Sequence, residues 1–233
     1  MGLLSIAVAP VIMCMFYFYI RDKYEKEPIN LVITGSIFGV ITVFPIIHLG
    51  GFLSLFLSVE ANRLYESFYN AFVISAFSEE IFKYIVLFFL AWRNFNFNEK
   101  FDGIVYAVFV SLGFAFLENI LYVFDGDLGG YSTAFSRAIF SVPAHGLFGV
   151  HMGYYFGKAK FDDKKYLLVA FFVPYLLHAF YNFILLVSDG IFGTLIFTLF
   201  VILMWRSALE KMQIHLRASP FRESFKKSVD LNG

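Results

Sequence analysis

The stretch Ser78-Glu79-Glu80-Ile81-Phe82-Lys83 sets three charged side chains inside a segment that is otherwise apolar from Phe68 to Trp92. If that segment crosses a bilayer, each ionised group near its centre costs roughly 2.5–3.5 kcal/mol on an insertion scale, so such groups face the interior of a helix bundle and find partners there. Glu79 and Lys83 stand four apart, Glu80 and Lys83 three apart, and both spacings bring side chains together on a helix. The two glutamates are adjacent and project about 100° apart, so one lysine cannot neutralise both equally well. At least one carboxylate therefore needs a proton, a metal or a partner from another helix. The chain offers such partners in Glu118, Asn119, His145, His178 and Asn182, each within an apolar run. Two carboxylates, imidazole and amide are the set that activates water and stabilises an oxyanion. A glutamate withdrawn from bulk water can act as a general base near neutral pH, while His and Asn donate to developing charge. Hydrolysis is the natural reaction class. No H-E-x-x-H or G-x-S-x-G motif occurs, and with Asp125 and Asp127 assigned to a loop, no aspartate is counted inside a span. Zinc-helix, serine and aspartyl mechanisms are disfavoured on that count.

These residues must be positioned by membrane helices. The chain is 59% hydrophobic and only 15% charged, which indicates a polytopic membrane protein; its partner is the lipid bilayer. The basic residues are scattered between apolar runs and form no stripe for nucleic acid. Cys14 is alone, which excludes an intrachain disulfide and Cys-rich metal sites. Apolar runs at about Gly2–Ile20, Asn30–Leu57, Phe68–Trp92, Phe101–Phe124, Ala134–Gly157, Tyr166–Val187 and Gly190–Trp205 each approach the ~20 residues a spanning helix needs. The expected fold is an all-α bundle of about seven transmembrane helices, with residues 1–206 as the membrane-embedded domain and 207–233 as a basic cytoplasmic tail. The first run is read as a retained span, since no basic residue precedes it and Arg21, Lys23 and Lys26 follow it. With alternating connections, 15 of 18 basic residues fall on one face, opposite Arg63 and Arg137. The positive-inside rule then places the N-terminus outside and the C-terminus in the cytoplasm. Gly149, Gly153 and Gly157, and likewise Gly35 and Gly39, recur every fourth residue and mark close helix contacts.

Depth makes the reading specific. Counted from the outer ends, Glu79 and Glu80 lie about eleven or twelve residues in, His145 about ten, His178 about nine, and Glu118 and Asn119 about five or six, at ~1.5 Å each. All fall in one slab of the outer half of the bilayer. Taken singly, each has a plainer role: Glu79, Glu80 and Lys83 as an ion pair, the histidines and asparagines as interhelical hydrogen bonders. His48 and His151 are read as structural. Three carboxylates against one lysine, however, leave an excess charge that packing does not require.

The motifs Glu79-Glu80-x-x-Lys83, Gly113-Phe114-Ala115-Phe116-Leu117-Glu118-Asn119, Ala144-His145 with Phe148-Gly149, and Leu177-His178-Ala179-Phe180-Tyr181-Asn182 resemble those of the PrsW family of bacterial intramembrane proteases. The resemblance covers about Arg21 to Asn182. That family is distantly similar to the CAAX prenyl endopeptidases, in which the leading glutamate of a paired motif activates water. The resemblance implies a multi-pass protease of the bacterial cell membrane that makes the first cut in a single-pass anti-sigma factor. Glu79, Glu80, His178 and Glu118 would be catalytic, with Lys83, Asn119, His145 and Asn182 in support. In the wider group a histidine commonly stands where this chain has Glu118, which leaves open whether Glu118 binds, shares a proton or only orients. No cofactor is required by this reading, although two Glu and two His would also make a zinc set. The alternative from another class is a proton- or cation-coupled transporter, since intramembrane Glu, His and Lys also build ion pathways. The repeated broken helices usual in transporters are not visible.

Overall fold

The computed structural model describes residues 2–58 and 61–230; Met1, the pair 59–60 and the last three residues of the 207–233 tail lie outside it. Its elements are helices. With no water in a bilayer core, a spanning segment must satisfy its own N–H and C=O groups, and helices do so within one segment. We denote them α1 (Leu3–Arg21), α2 (Ile29–Ser54), α3 (Arg63–Phe68, Tyr69–Phe77 and Ser78–Ala91 in succession) and α4 (Lys100–Val123). These are followed by α5 (Tyr131–Ser136, Arg137–Ser141 and Val142–Phe161 in succession), α6 (Tyr166–Val187), α7 (Gly190–Arg217) and α8 (Arg222–Asp230). In α3 and α5 the middle stretches, Tyr69–Phe77 and Arg137–Ser141, are π-helical. Five helices, α1, α2, α4, α6 and α7, are individually long and apolar enough to cross a membrane. The third and fifth apolar runs correspond to the composite helices α3 and α5.

The helix α4 is the axis. It packs against α1, α2, α3, α5 and α7, and most of its residues from Phe101 to Ala115 are buried. A capping box starts it: Glu99 accepts from the Asp102 N–H while Asp102 Oδ2 accepts from Glu99 N at 2.8 Å. Asp102 corrects the count of aspartates, since it stands inside this helix and is fully buried. It lies sixteen residues before Glu118, about 24 Å along the axis, so it takes no part in the polar slab.

Close approach on α4 needs the glycines. A Cβ on Gly153 would run into the Gly103 carbonyl and the Ile104 backbone, and one on Gly39 into the Val110 carbonyl. Outside these contacts the large apolar side chains that remain exposed, such as Phe89, Phe192 and Ile191, suit a lipid surround. The last apolar run does not end its helix at Trp205: α7 continues to Arg217 and buries Ala208, Met212 and Leu216 in the main core. The first part of the basic tail is thus packed structure. Between α4 and α5 the turn-rich connection is tied down, with Asp125 Oδ1 accepting from Asp127 N at 3.0 Å and Leu128 N at 2.8 Å.

Gly153→Ala is expected to lower stability by roughly 1–3 kcal/mol through overpacking of α5 on α4. Gly51→Ala, where an added methyl meets nothing within 4 Å, is expected to leave it unchanged. Thermal unfolding of both variants in detergent checks the contrast.

Candidate active site

Both composite helices bring charge to the same place. Ser78–Ala91 of α3 follows its π-helical stretch directly, so Glu79 and Glu80 sit at the first turn of a regular helix with Lys83 one turn on. The ammonium of Lys83 is fully buried; it donates to Glu80 Oε1 at 2.9 Å and to Glu79 Oε2 at 3.3 Å. It also donates to His145 Nδ1 at 3.2 Å and lies 4.0 Å from the centroid of the Phe114 ring. One cation therefore joins α3, α4 and α5.

The hydrogen-bond pattern assigns the histidine tautomers. Because His145 Nδ1 accepts from Lys83, its Nε2–H donates to Glu118 Oε2, at 3.1 Å. His178 Nδ1–H donates to Glu80 Oε1 at 2.9 Å, leaving Nε2 on the side of Glu79 Oε2, 3.9 Å away. The His178 ring stacks on Phe148 with centroids 4.6 Å apart and planes 16° apart, which fixes its orientation. Glu79 Oε1 accepts from Ser75 Oγ at 3.0 Å, and Ser75 in turn accepts from Asn182 Nδ2 at 2.9 Å.

A second cation completes the cluster. Arg137 donates to Glu118 Oε2 at 2.5 Å and to Asn119 Oδ1 at 2.8 Å, while Asn119 Nδ2 donates to the Ala7 carbonyl at 2.6 Å. Asn119 thus ties α4 to α1 and does not reach the glutamate pair. The sequence reading assigned Arg137 to the outer face as a topology marker and gave it no part in the site. Its signal was position, eight residues before His145 inside an apolar run. That is one residue more than two α-turns, and the intervening π-helical stretch takes up the extra residue. Ser75 was missed as well, although it stands four residues before Glu79.

A cavity of about 80 Å³ opens among these groups. Glu79, Glu118, Arg137, His145, His178 and Asn182 line it, whereas Glu80 and Lys83 stand behind the wall. The structure accordingly brings together Glu79, Glu80, Lys83, Glu118, His145, His178 and Asn182. His48 and His151 stay apart: His48 turns to the Phe44 carbonyl, and His151 bonds the Leu147 carbonyl and Ser207.

The donors of Glu79, Glu80, His145 and His178 all lie within 4.8 Å of one another, and Glu80 Oε2 is buried without a hydrogen-bond partner. By donor chemistry, two imidazoles and two carboxylates suit zinc. The ammonium of Lys83 stands among the same donors, so a metal ion and protonated Lys83 would compete for them.

A family profile described as "PrsW family intramembrane metalloprotease" matches residues 27–206. "Protease PrsW" of Oceanobacillus iheyensis is 43% identical over 217 residues, covering 91% of this chain and 95% of the relative. The proteins of that name from Geobacillus kaustophilus and Bacillus subtilis are each 41% identical, covering 91% and 90% of this chain and 91% and 94% of their own lengths. No solved structure matches the chain.

Lys83→Met would leave Glu79 and Glu80 buried without their shared cation. A loss of about 3–5 kcal/mol is expected where both stay charged. Because protonation of one carboxylate relieves the repulsion, the loss should be smaller at pH 5 than at pH 8, as read by unfolding temperature in detergent.

Proposed function

We propose, on the premise that this chain belongs to the PrsW family of intramembrane proteases, that its hydrolytic centre is the cavity bounded by Glu79, Glu118, His145 and His178. The protein is a multi-pass intramembrane protease of a bacterial membrane. The observation that carries the mechanistic reading is that Glu79 lines the cavity and Glu80 does not. Glu79 is the general base: it takes a proton from a water in the cavity, and the water oxygen attacks the peptide carbonyl carbon. The amide nitrogen then leaves with a proton returned by Glu79. Arg137 and Asn182 face the position of the developing oxyanion, where preorganised donors act most strongly away from bulk water. Glu80 holds the Lys83 ammonium and the His178 ring in place. Glu118 holds Arg137 and His145, and so acts by orientation. Zinc bound to Glu79, Glu80, His145 and His178 would supply Lewis acidity and a more acidic water.

Further parts of the proposal rest on topology and family. Seven crossings, counting α3 and α5, with the N-terminus outside, put the cavity in the outer half of the bilayer. The substrate is a single-pass membrane anti-sigma factor, cut first here in a stress-signalling relay. A helical substrate shields its own carbonyls, so the scissile segment must unwind, and its extracytoplasmic juxtamembrane stretch is the natural place. Residues 1–206 form the protease domain, and 207–233 extend from it on the cytoplasmic side.

Glu79→Gln and Glu80→Gln should each leave the protein inserted and reduce cleavage by roughly 100-fold or more, the usual scale of general-base catalysis and its immediate support. A wild-type rate in Glu79→Gln would refute the general-base assignment, and one in Glu80→Gln the supporting role; cleavage of a co-expressed substrate, quantified by immunoblot, reads the outcome.

Mass spectrometry of the two product termini is expected to place the cut outside, or within the outer third of, the substrate's span. A cut on the cytoplasmic side would overturn the orientation.

A further inference from the structure

At the other end of α4 a second set of acidic groups is buried without ion-pair partners. The connection from α1 to α2 carries Asp22, Glu25 and Glu27, and the first turn of α4 carries Asp102. Asp22, Glu27 and Asp102 are each at most 1% exposed. Among the described residues, no Lys or Arg forms an ion pair with any of the four carboxylates. Two lysines adjacent in sequence hydrogen-bond elsewhere: Lys26, whose charge still acts on Asp22, donates to the Tyr19 carbonyl at 2.6 Å, and Lys100 to Asp162 at 2.5 Å.

The hydrogen bonds show how these groups are aimed. Asp22 Oδ2 accepts from Glu27 N at 3.1 Å, and Asp102 Oδ2 accepts from the backbone N–H groups of Asn98 and Glu99 at 2.9 and 2.8 Å. One oxygen of Glu27, Oε2, accepts from the Tyr106 hydroxyl. In each case protein donors fix one carboxylate oxygen, while the other, Asp22 Oδ1, Asp102 Oδ1 or Glu27 Oε1, is buried with no N–H or hydroxyl donor, the Glu27 and Asp102 carboxyl groups meeting side chain to side chain; Glu25 Oε2 is a fourth such oxygen. Donor oxygens of Glu25, Glu27 and Asp102 lie within 4.8 Å of one another. Calcium takes oxygen ligands at about 2.3–2.6 Å, so two of them across the ion stand roughly 5 Å apart. Burying such oxygens without a compensating cation is costly.

We propose that Glu25, Glu27 and Asp102 form an all-oxygen binding site for a hard divalent cation of calcium or manganese type, separate from the protease cavity. Bound there, the ion clamps the α1–α2 connection to the start of α4, the helix whose far end carries Glu118. Aspartate and glutamate oxygens with no nitrogen or sulfur ligand favour such ions over zinc or copper.

The test uses the full-length protein in detergent, stripped with a chelator and then titrated separately with calcium, manganese and magnesium chloride. Potassium chloride at matched ionic strength is the control. At least one divalent ion is expected to raise the unfolding temperature saturably, by roughly 4 °C or more at a large excess over its dissociation constant. Glu27→Gln, which keeps the acceptor for Tyr106 and loses the charge, and the milder Glu25→Gln should abolish or strongly reduce that rise, while Glu79→Gln keeps it. The proposal is overturned if no divalent ion shifts the transition, if wild type and Glu27→Gln shift equally, or if stability responds to pH alone, which would mean that these carboxylates share protons instead.

Discussion

A single buried ammonium sets the terms for this structure. Lys83 has no exposed surface, and an unpaired charge in that position would be untenable, so Glu79, Glu80 and His145 converge on it from two helices. The convergence fixes how α3 and α5 meet across α4. It also decides which glutamate faces the cavity, because Glu80 is drawn back to Lys83 and His178 while Glu79 keeps contact with Ser75 at the cavity wall. Arg137 plays the matching part for Glu118. Three carboxyl groups thus meet two cationic side chains beside a space large enough for a few waters.

Such a cluster needs rigid walls, and the walls are made by close backbone packing. Bilayer lipid gives helices no hydrophobic reason to associate, so contact distance and hydrogen bonding carry the association. The glycines of α5 bring its backbone onto α4 near Gly103, and Gly39 brings α2 onto another face of α4 near Val110. Asn119 adds a hydrogen bond from α4 to the Ala7 carbonyl of α1. The helix that carries Glu118 is therefore held from several sides along its length.

Much of this was legible in the sequence because expensive residues advertise themselves in apolar runs. The spacing of Glu79, Glu80 and Lys83, and the compatible depths of Glu118, His145 and His178, pointed to one site, and the four-residue glycine spacing pointed to the right packing faces. Ideal helical geometry was the limit. Arg137 reaches the cluster through a π-helical stretch, whose register a 3.6-residue period does not describe, whereas Ser75 stands four residues before Glu79 and was within reach of that period. Asp102 was passed over because it falls at the first turn of an apolar run, where a boundary shift of one residue decides whether it counts as loop or helix. The continuation of α7 past Trp205 was hidden for a similar reason: its buried positions, Ala208, Met212 and Leu216, are spaced four apart among polar residues, outside the continuous apolar run.

The two π-helical stretches carry a consequence of another kind. Each precedes the regular segment that bears site residues, Glu79 in one case and His145 in the other. A widened turn holds an additional residue, so the chain reaches the same rotational position with one residue more than an α-helix would use. Taking one residue out of Arg137–Ser141 would let ordinary α geometry recover the alignment, since Arg137 would then stand seven residues, close to two turns, before His145. The same deletion from the regular segment beyond would rotate everything after it by about 100°. The widened turns are thus the places where chain length can change while the site residues keep their direction.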